Sequence, residues 1–315
     1  MASTSPQKSG KRSSAAAQPS LRLRTLNFGL RHAVRPFLGL SNSPERAART
    51  FDRFAPLIFS GPPYICHLTE IANAVPLHWI SVGSVQPRHV ILYLHGGAYF
   101  SGSGTAYSGL LGRISSLTGL RVCAPDYRLL QQDPFPAALD DAVGAWDALL
   151  QKGYRPRDIV LGGDSAGGGL MLSLLSYLTL RDQRPRAAFA LSPWTDLTLA
   201  GESLTTATEV LLPVRRMSEV VDRYLGAADR ADPRASPLFA TFVNPPPVLI
   251  QVGSGEALRD DAVRMAQVLG PQADLRIWAD VPHVWQMFDG YIPEARAALR
   301  EVAEFIQMSF AMDSR

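Results

Sequence analysis

The chain has 315 residues, 46% hydrophobic and 19% charged, with a mean hydropathy of +0.02, and this composition excludes an intrinsically disordered protein. Residues 1–53 carry ten basic and two acidic side chains, so the overall charge of +3 divides into +8 for this segment and −5 for the remainder. Because nucleic-acid recognition requires basic residues clustered on the folded part, we expect no nucleic-acid partner.

The first predicted elements lie in the basic N-terminal part of the chain. Residues 1–20 contain no acidic residue and no apolar periodicity, so we expect a disordered tail. Residues 21–40 place apolar side chains at spacings of three and four, which predicts a basic amphipathic helix. The apolar positions are Leu23, Leu26, Leu30, Val34 and Phe37 or Leu38.

Alternative interpretations of this helix remain open. It is either a cap helix over a site on the domain behind it or part of an organellar transit peptide, which would also be rich in Arg and Ser and poor in acids. Ser43, as an N-cap before Pro44, favours the cap, because the chain then continues into another short helix. We therefore expect cap helices over residues 21–60. Docking of residues 21–40 on a membrane surface is a third possibility.

From Pro62 onward, short apolar β-rich runs alternate with longer helical runs. This alternation predicts an α/β fold with a mostly parallel sheet covered by helices on both faces. Residues 197–235 interrupt it with a polar helical stretch, so we expect a domain over residues 61–315 with a cap insertion at about 197–235. The predicted strands are 77–82, 90–94, 120–125, 158–161, 187–191, 247–252 and 275–279, and the predicted helices are 107–117, 137–151, 166–181, 211–225, 259–269 and 293–308.

The most informative motif is G-x-S-x-G at residues 163–167, between a predicted strand and a predicted helix. In such a strand-to-helix turn the serine is strained and exposed at the sheet edge, and the flanking glycines allow the chains to approach closely. Ser165 is therefore the candidate nucleophile. A glycine-rich loop without chemistry is the alternative reading of this motif taken alone.

A second glycine motif, His95-Gly96-Gly97, follows the predicted strand 90–94. Unobstructed backbone N–H groups are the usual donors to the oxyanion formed in ester hydrolysis. We expect Gly96, Gly97 and Ala166 to supply them, Ala166 being the residue that follows the serine. His95 is expected to hold the glycine turn.

A serine nucleophile needs a histidine base, and the histidine needs a carboxylate to orient it. His283 is the one histidine after Ser165 in the sequence, and it follows the predicted strand 275–279. Glu256 follows the strand 247–252 and is preferred to Asp260 and Asp261, which lie in the first turns of the next helix. The chain order Ser165, Glu256, His283 is the one expected of α/β-hydrolases.

These motifs and two further segments together resemble the bacterial hormone-sensitive-lipase-type esterases over about residues 65–310. The resemblance implies an α/β-hydrolase core, a helical cap, carboxylic-ester hydrolysis, and no cofactor or metal. It assigns Ser165, His283 and Glu256 to the catalytic triad and Gly96, Gly97 and Ala166 to the oxyanion hole. The matching segments are Tyr93-Leu94-His95-Gly96-Gly97-Ala98-Tyr99, Asp126-Tyr127-Arg128-Leu129, Gly163-Asp164-Ser165-Ala166-Gly167-Gly168, Ser192-Pro193-Trp194-Thr195-Asp196-Leu197 and Pro282-His283-Val284-Trp285.

The chain departs from the family pattern at two places. Ala98 stands where the family often has a third glycine, which matters only if this residue needs a left-handed backbone. Leu130-Gln131-Gln132-Asp133 stands where the family usually reads Ala-Pro-Glu-x, so the family pattern does not predict the geometry and charge of that loop.

The sequence thus predicts a serine esterase acting on short or medium acyl esters or lactones. Two alternatives remain: an amidase or arylformamidase on the same fold, and a non-catalytic hydrolase-fold receptor for a small molecule. The resemblance also suggests a homodimer. The longest uncharged apolar stretch, residues 165–180, is shorter than a membrane span, so we expect no transmembrane segment and a cytoplasmic location.

Overall fold

The computed structural model describes residues 19–36 and 61–311. The expected tail over residues 1–18, Phe37 and Leu38, and the expected second helix after Pro44 lie outside these residues. Within the described ranges, no helix is both long enough and apolar enough to cross a bilayer.

An eight-stranded sheet forms the centre of the described part of the chain, in the order β1-β2-β4-β3-β5-β6-β7-β8. The two pairs that involve β2 are antiparallel and all the others are parallel, which confirms the expected mostly parallel sheet. The strands are β1 (Ile65–Ala72), β2 (Val75–Val82), β3 (Gln86–Leu94), β4 (Leu120–Pro125), β5 (Ile159–Asp164), β6 (Ala187–Leu191), β7 (Val248–Gly253) and β8 (Ala273–Trp278).

The sequence prediction missed β1, the outer strand of the antiparallel pair. Strands β5, β6 and β7 are buried along their whole length and are continuous apolar or glycine-containing runs, whereas β1 is half exposed and includes His67, Thr69 and Glu70. An edge strand buries little apolar surface, so its sequence carries a weak signal.

Helices cover both faces of the sheet, as expected. Helices α2 and α8 pack on one face, and α3, α4, α6 and α7 contribute to the cluster on the other. The helices are α1 (Leu21–Gly29), α2 (Ser108–Thr118), α3 (Ala137–Gln151), α4 (Ser165–Thr179), α5 (Ser203–Thr206), α6 (Met217–Leu225), α7 (Arg259–Leu269) and α8 (Pro293–Ala311).

Helix α1 packs against the segment that follows β8, at the edge of the sheet. Ser20 caps it by accepting the N–H of Leu23, and its own N–H donates to Glu294 at 2.8 Å. Leu23 and Leu30 are buried in a cluster that includes Trp285. The predicted helix is thus confirmed over the described residues up to 36.

The predicted apolar face of this helix is wrong at Val34, which is 37% exposed. After α1 the chain continues as a π turn over Leu30–Val34. One extra residue in a turn rotates the following side chains around the axis, so Val34 leaves the face that carries Leu30.

Between β6 and β7 lies the expected insertion, which contains α5 and α6. The predicted helix 211–225 is wrong at its start: α6 begins at Met217, after a 3₁₀ turn over Val214–Arg216. Pro213 disfavours a helical backbone at Leu212, and the carboxylate of Glu209 accepts the N–H groups of Leu211 and Leu212.

Candidate active site

Ser165 lies at a sharp turn between β5 and α4, with a φ of 50°. An L-residue reaches this left-handed region only when its surroundings impose it. Gly163 and Gly167 flank the turn, and a Cβ on Gly167 would collide with the carbonyl oxygens of Leu94 and His95. The glycines at 163 and 167 therefore allow β3 and the turn to approach, as expected from the motif.

The sheet brings Ser165, His283 and Glu256 together at the carboxyl ends of its strands. The hydroxyl of Ser165 lies 2.9 Å from His283 Nε2, and His283 Nδ1 lies 2.8 Å from Glu256 Oε2. All three residues are buried. The arrangement is a continuous line of hydrogen bonds from a hydroxyl to a carboxylate, the geometry required to remove a proton from a serine.

The surroundings of His283 set its basicity. Burial disfavours the charged imidazolium, but the hydrogen bond to Glu256 and the negative charges of Glu256, Glu209 and Asp164 outweigh it, so the pKa of His283 is raised above 6.5. A raised pKa makes this imidazole a stronger base for a proton released by Ser165.

Glu256 is held by more than the histidine. Its Oε1 accepts hydrogen bonds from the Ser192 hydroxyl at 2.8 Å and from the Gly253 N–H at 2.6 Å. Ser192 follows β6 and has a φ of 48°. Ser192 lies in one of the segments that carry the family resemblance, but it has no role predicted from the sequence, because one serine after a strand carries no distinguishing pattern.

The structure separates Glu256 from the two other candidate acids. Asp260 accepts the N–H of Ser203, and Asp261 accepts the N–H groups of Thr195 and Asp196. Burial raises the pKa of Asp261 to about 7, although these backbone bonds oppose the shift. Both aspartates therefore hold the chain after β6, and neither bonds to His283.

The prediction of Gly96 as an oxyanion donor is wrong. The N–H of Gly96 donates to Asp164 Oδ1 at 2.9 Å, so it is not free to bind a substrate oxygen. Asp164 also accepts hydrogen bonds from the hydroxyls of Tyr93 and Tyr107. Burial nevertheless raises the pKa of Asp164 to about 6. This carboxylate joins the serine turn to the glycine loop, a role the sequence analysis missed.

Within the described ranges, the next two N–H groups of the loop, those of Gly97 and Ala98, donate to no protein acceptor. Gly97 has a φ of 115° and Ala98 a φ of 52°, so the alanine that replaces the family's glycine does adopt a left-handed backbone. The third expected donor, Ala166, lies in the first turn of α4, where N–H groups have no carbonyl one turn earlier.

His95 supports the glycine turn, in agreement with the expectation for it. Its Nδ1 donates to the Gly96 carbonyl at 2.8 Å, and its ring stacks on Tyr127 at 4.3 Å between centroids. The Tyr127 hydroxyl donates to the His95 carbonyl. Burial lowers the pKa of His95, which favours the neutral ring.

The loop of residues 130–133, which departs from the family pattern, is hydrogen-bonded to the segment that follows the glycine motif. Arg128 forms ion pairs with Asp133 and Asp141, each at 2.9 Å. The side chain of Gln131 donates to the Phe100 carbonyl at 2.6 Å. The charge of Asp133 is thus paired within the loop, and Gln131 ties the loop to the residues that follow Ala98.

In the part of the chain that the structure describes, no group of three or more His, Cys, Asp or Glu residues could hold a metal ion.

Comparison with known proteins finds that this chain is similar to esterases. A family model described as alpha/beta hydrolase fold matches residues 91–287. An acetyl-hydrolase of Streptomyces hygroscopicus is 39% identical over 70% of this chain and 76% of its own length. An esterase of Acinetobacter venetianus is 36% identical over 69% of this chain and 74% of its own length. The crystal structure of an esterase from the bacterial hormone-sensitive lipase family superposes with a TM-score of 0.86 at 34% identity, covering 93% of this chain and 99% of that one.

Proposed function

The chain belongs to the bacterial hormone-sensitive-lipase-type carboxylesterases and is a carboxylic ester hydrolase, and we propose that it cleaves esters through an acyl-enzyme on Ser165. His283 is the proposed general base and Glu256 the carboxylate that orients it. The observation that carries the proposal is the line of hydrogen bonds from Ser165 through His283 to Glu256, at 2.9 and 2.8 Å.

In the proposed first half-reaction, Ser165 Oγ attacks the ester carbonyl carbon while its proton passes to His283 Nε2. The tetrahedral intermediate then collapses, the bond to the alkoxy oxygen breaks, and His283 returns the proton to the leaving alcohol. In the second half-reaction water attacks the acyl carbon while its proton passes to His283. The bond between the acyl carbon and Ser165 Oγ then breaks, His283 returns the proton to Ser165, and the acid is released. Glu256 remains ionised and stabilises the imidazolium that forms in each half.

We propose Gly97, Ala98 and Ala166 as the donors to the oxyanion, with Ala98 in place of Gly96. Two facts support this set: the Gly96 N–H is already bonded to Asp164, and the N–H groups of Gly97 and Ala98 donate to no acceptor in the described ranges. Consecutive N–H groups on a backbone with positive φ point toward one side and form a concave anion site. Such donors need no rearrangement when charge develops.

Short or medium acyl esters, or lactones, are the proposed substrates. The name of the Streptomyces relative, an acetyl-hydrolase, supports a small acyl group. We further propose that the segments 21–60 and 197–235 form a cap over the site. In support of this, Arg31 and Arg35 beyond α1 donate to the carbonyls of Thr208 and Glu209 in the insertion.

The proposal is tested with p-nitrophenyl esters of graded chain length and a matched anilide. We expect ester hydrolysis that declines for long acyl chains, much slower anilide hydrolysis, and loss of ester turnover in Ser165→Ala. Ser173→Ala is the matched control, because Ser173 is a buried serine of the same helix with no hydrogen-bond partner in the described residues. Anilide turnover equal to ester turnover would instead indicate an amidase.

A further inference from the structure

Glu209 is a buried carboxylate that the proposed mechanism does not use. It lies in the insertion between β6 and β7 and is 4% exposed. Its Oε1 accepts the N–H groups of Leu211 and Leu212, at 2.7 and 3.1 Å. Its Oε2 accepts the N–H of Ala257 at 3.1 Å. A buried carboxylate with three backbone donors is costly to replace, because each donor would lose its partner.

The bond to Ala257 connects Glu209 to the proposed triad. Ala257 directly follows Glu256, so Glu209 accepts a hydrogen bond from the backbone N–H next to the residue that carries the triad carboxylate. Glu209 and Glu256 also line the same cleft of about 450 Å³, together with Pro282, which precedes His283. The charge of Glu209 contributes to the raised pKa of His283.

The N-terminal helical segment fixes the chain on the other side of Glu209. Arg35 donates to the Glu209 carbonyl at 2.8 Å, and Arg31 donates to the Thr208 carbonyl at 3.3 Å. The side chain of Glu209 therefore reaches the Glu256 loop while its backbone is bonded to the helical segment. These contacts fix the position of the carboxylate from two directions.

We propose that Glu209 is a positioning residue of this enzyme, which holds the Glu256 loop through the Ala257 N–H and adds a second negative charge behind the Glu256–His283 pair. The proposal rests on the triad proposed above. It assigns to the insertion a part in the chemistry itself, because the insertion supplies a charge that favours the imidazolium formed at each proton transfer.

The variant Glu209→Gln separates this role from simple packing. The amide keeps the size of the carboxylate but removes the charge, and its NH₂ group faces either Ala257 or the two leucine N–H groups as a donor against a donor. We expect kcat to fall about tenfold with KM within about twofold. We also expect the acid limb of kcat/KM to move about half a pH unit lower, because a lost negative charge disfavours the imidazolium.

Several other charged groups act on His283 or line the cleft beside it, and all are unchanged in this variant. The shift is therefore assignable to Glu209. These groups are Glu256 after β7, Asp164 before the nucleophile, Asp280 after β8, and Arg24, Arg31 and His32 of the N-terminal helical segment.

Glu209→Asp keeps the charge but shortens the side chain. We expect it to lower kcat while leaving the acid limb within about a tenth of a pH unit of the wild type, since the charge persists. Glu202→Gln, an exposed glutamate of the same insertion, is the matched control and should change neither quantity.

All rates are normalised to the concentration of sites titrated by a fluorophosphonate, so a partly unfolded variant still gives a valid pH profile. Because Glu209 is proposed to hold the Glu256 loop, Glu209→Gln should lower kcat by less than about twofold in a Glu256→Gln background, although its charge still acts on His283. Wild-type kcat and an unmoved acid limb in Glu209→Gln, beside an inactive Ser165→Ala, would overturn the role of Glu209 alone. Retained activity in Ser165→Ala would overturn the triad and this proposal with it.

Discussion

The hydroxyl of Ser192 donates a 2.8 Å hydrogen bond to Glu256 Oε1, on the opposite side of the carboxylate from His283. The same hydroxyl accepts the N–H of Val284, the residue after the histidine, at 3.2 Å. One serine thus connects the end of β6 to both the carboxylate loop and the histidine loop. This single side chain thus contacts the loops that follow β7 and β8 from the end of β6.

Ser192→Ala should therefore impair catalysis without removing a reacting group. The variant leaves Glu256 with one donor fewer and the Val284 N–H without this acceptor. The free-energy cost of leaving such a buried group unsatisfied is about 1–3 kcal/mol. We expect kcat to fall about tenfold in assays with p-nitrophenyl acetate. Ser218→Ala, at an exposed serine of α6, is the control and should match the wild type. Unchanged kcat in Ser192→Ala would show that Glu256 is positioned without it.

The pH dependence of the reaction should follow the raised pKa of His283. The base must be neutral to accept a proton, so kcat/KM should fall as the pH drops through a value above 6.5. Glu256→Gln removes one charge and the hydrogen-bond acceptor that favour the imidazolium, so only the charges of Glu209 and Asp164 remain to oppose burial and the pKa of His283 falls. The acid limb should then move to lower pH while the maximal rate falls about 10³- to 10⁴-fold. A limb that stays in place would contradict the assignment of His283 as the titrating base.

Asp164 should make the stability of the protein depend on pH. Its folded pKa of about 6 lies above the ordinary value of 3.8, so the folded state binds its proton more tightly than the unfolded state. This contribution to stability is complete below about pH 4 and is lost as the pH rises to about 6. Asp164→Asn keeps an acceptor for Tyr93 and Gly96 and a donor for the Tyr107 oxygen, and it has no charge to lose.

Relative to the wild type, Asp164→Asn should therefore gain roughly 2–3 kcal/mol in free energy of unfolding between pH 4 and pH 7. Urea unfolding at the two pH values measures this difference. Asp164→Ala, which removes the acceptor shared by Tyr93, Gly96 and Tyr107, should be destabilised at both pH values. If the difference in free energy of unfolding between Asp164→Asn and the wild type is the same at both pH values, the carboxyl of Asp164 does not titrate in this interval.

The left-handed backbone at Ala98 predicts an unusual effect of a glycine substitution. Glycine accepts a φ of 52° without the clash that its Cβ causes for alanine, so Ala98→Gly should raise the free energy of unfolding by about 0.5–1 kcal/mol. Activity should change less than about twofold, since the N–H is retained. Ala297→Gly, at an exposed position inside α8, should instead lower the free energy of unfolding by about 1 kcal/mol. Thermal unfolding of both variants provides the comparison.

Much of the fold was predictable because the central parallel strands β5, β6 and β7 are buried on both faces. Their apolar runs are visible without any knowledge of the partner strands, and the ranges 120–125, 187–191, 137–151 and 259–269 agree with the structure at both ends. The half-exposed strand β1 and the π turn before Val34 were not predictable, since each depends on packing that a local pattern does not contain.

The candidate site divides in the same way. Ser165, His283 and Glu256 could be selected because each follows a strand in the expected order. Gly96 and Gly97 look alike in the sequence, and only the carboxylate of Asp164, 68 residues away, decides which N–H group is occupied. Ser192 and Glu209 act through contacts between distant loops, for which the sequence offers no spacing rule.

Labelling with a fluorophosphonate, followed by peptide mass mapping, tests whether Ser165 carries the acyl group. We expect one adduct per chain, on the peptide that contains Ser165, with loss of ester hydrolysis in proportion to labelling. We expect no adduct in Ser165→Ala and a normal adduct in Ser173→Ala. An adduct on another residue that abolishes ester hydrolysis, or full hydrolysis after complete labelling of Ser165, would show that Ser165 is not the nucleophile.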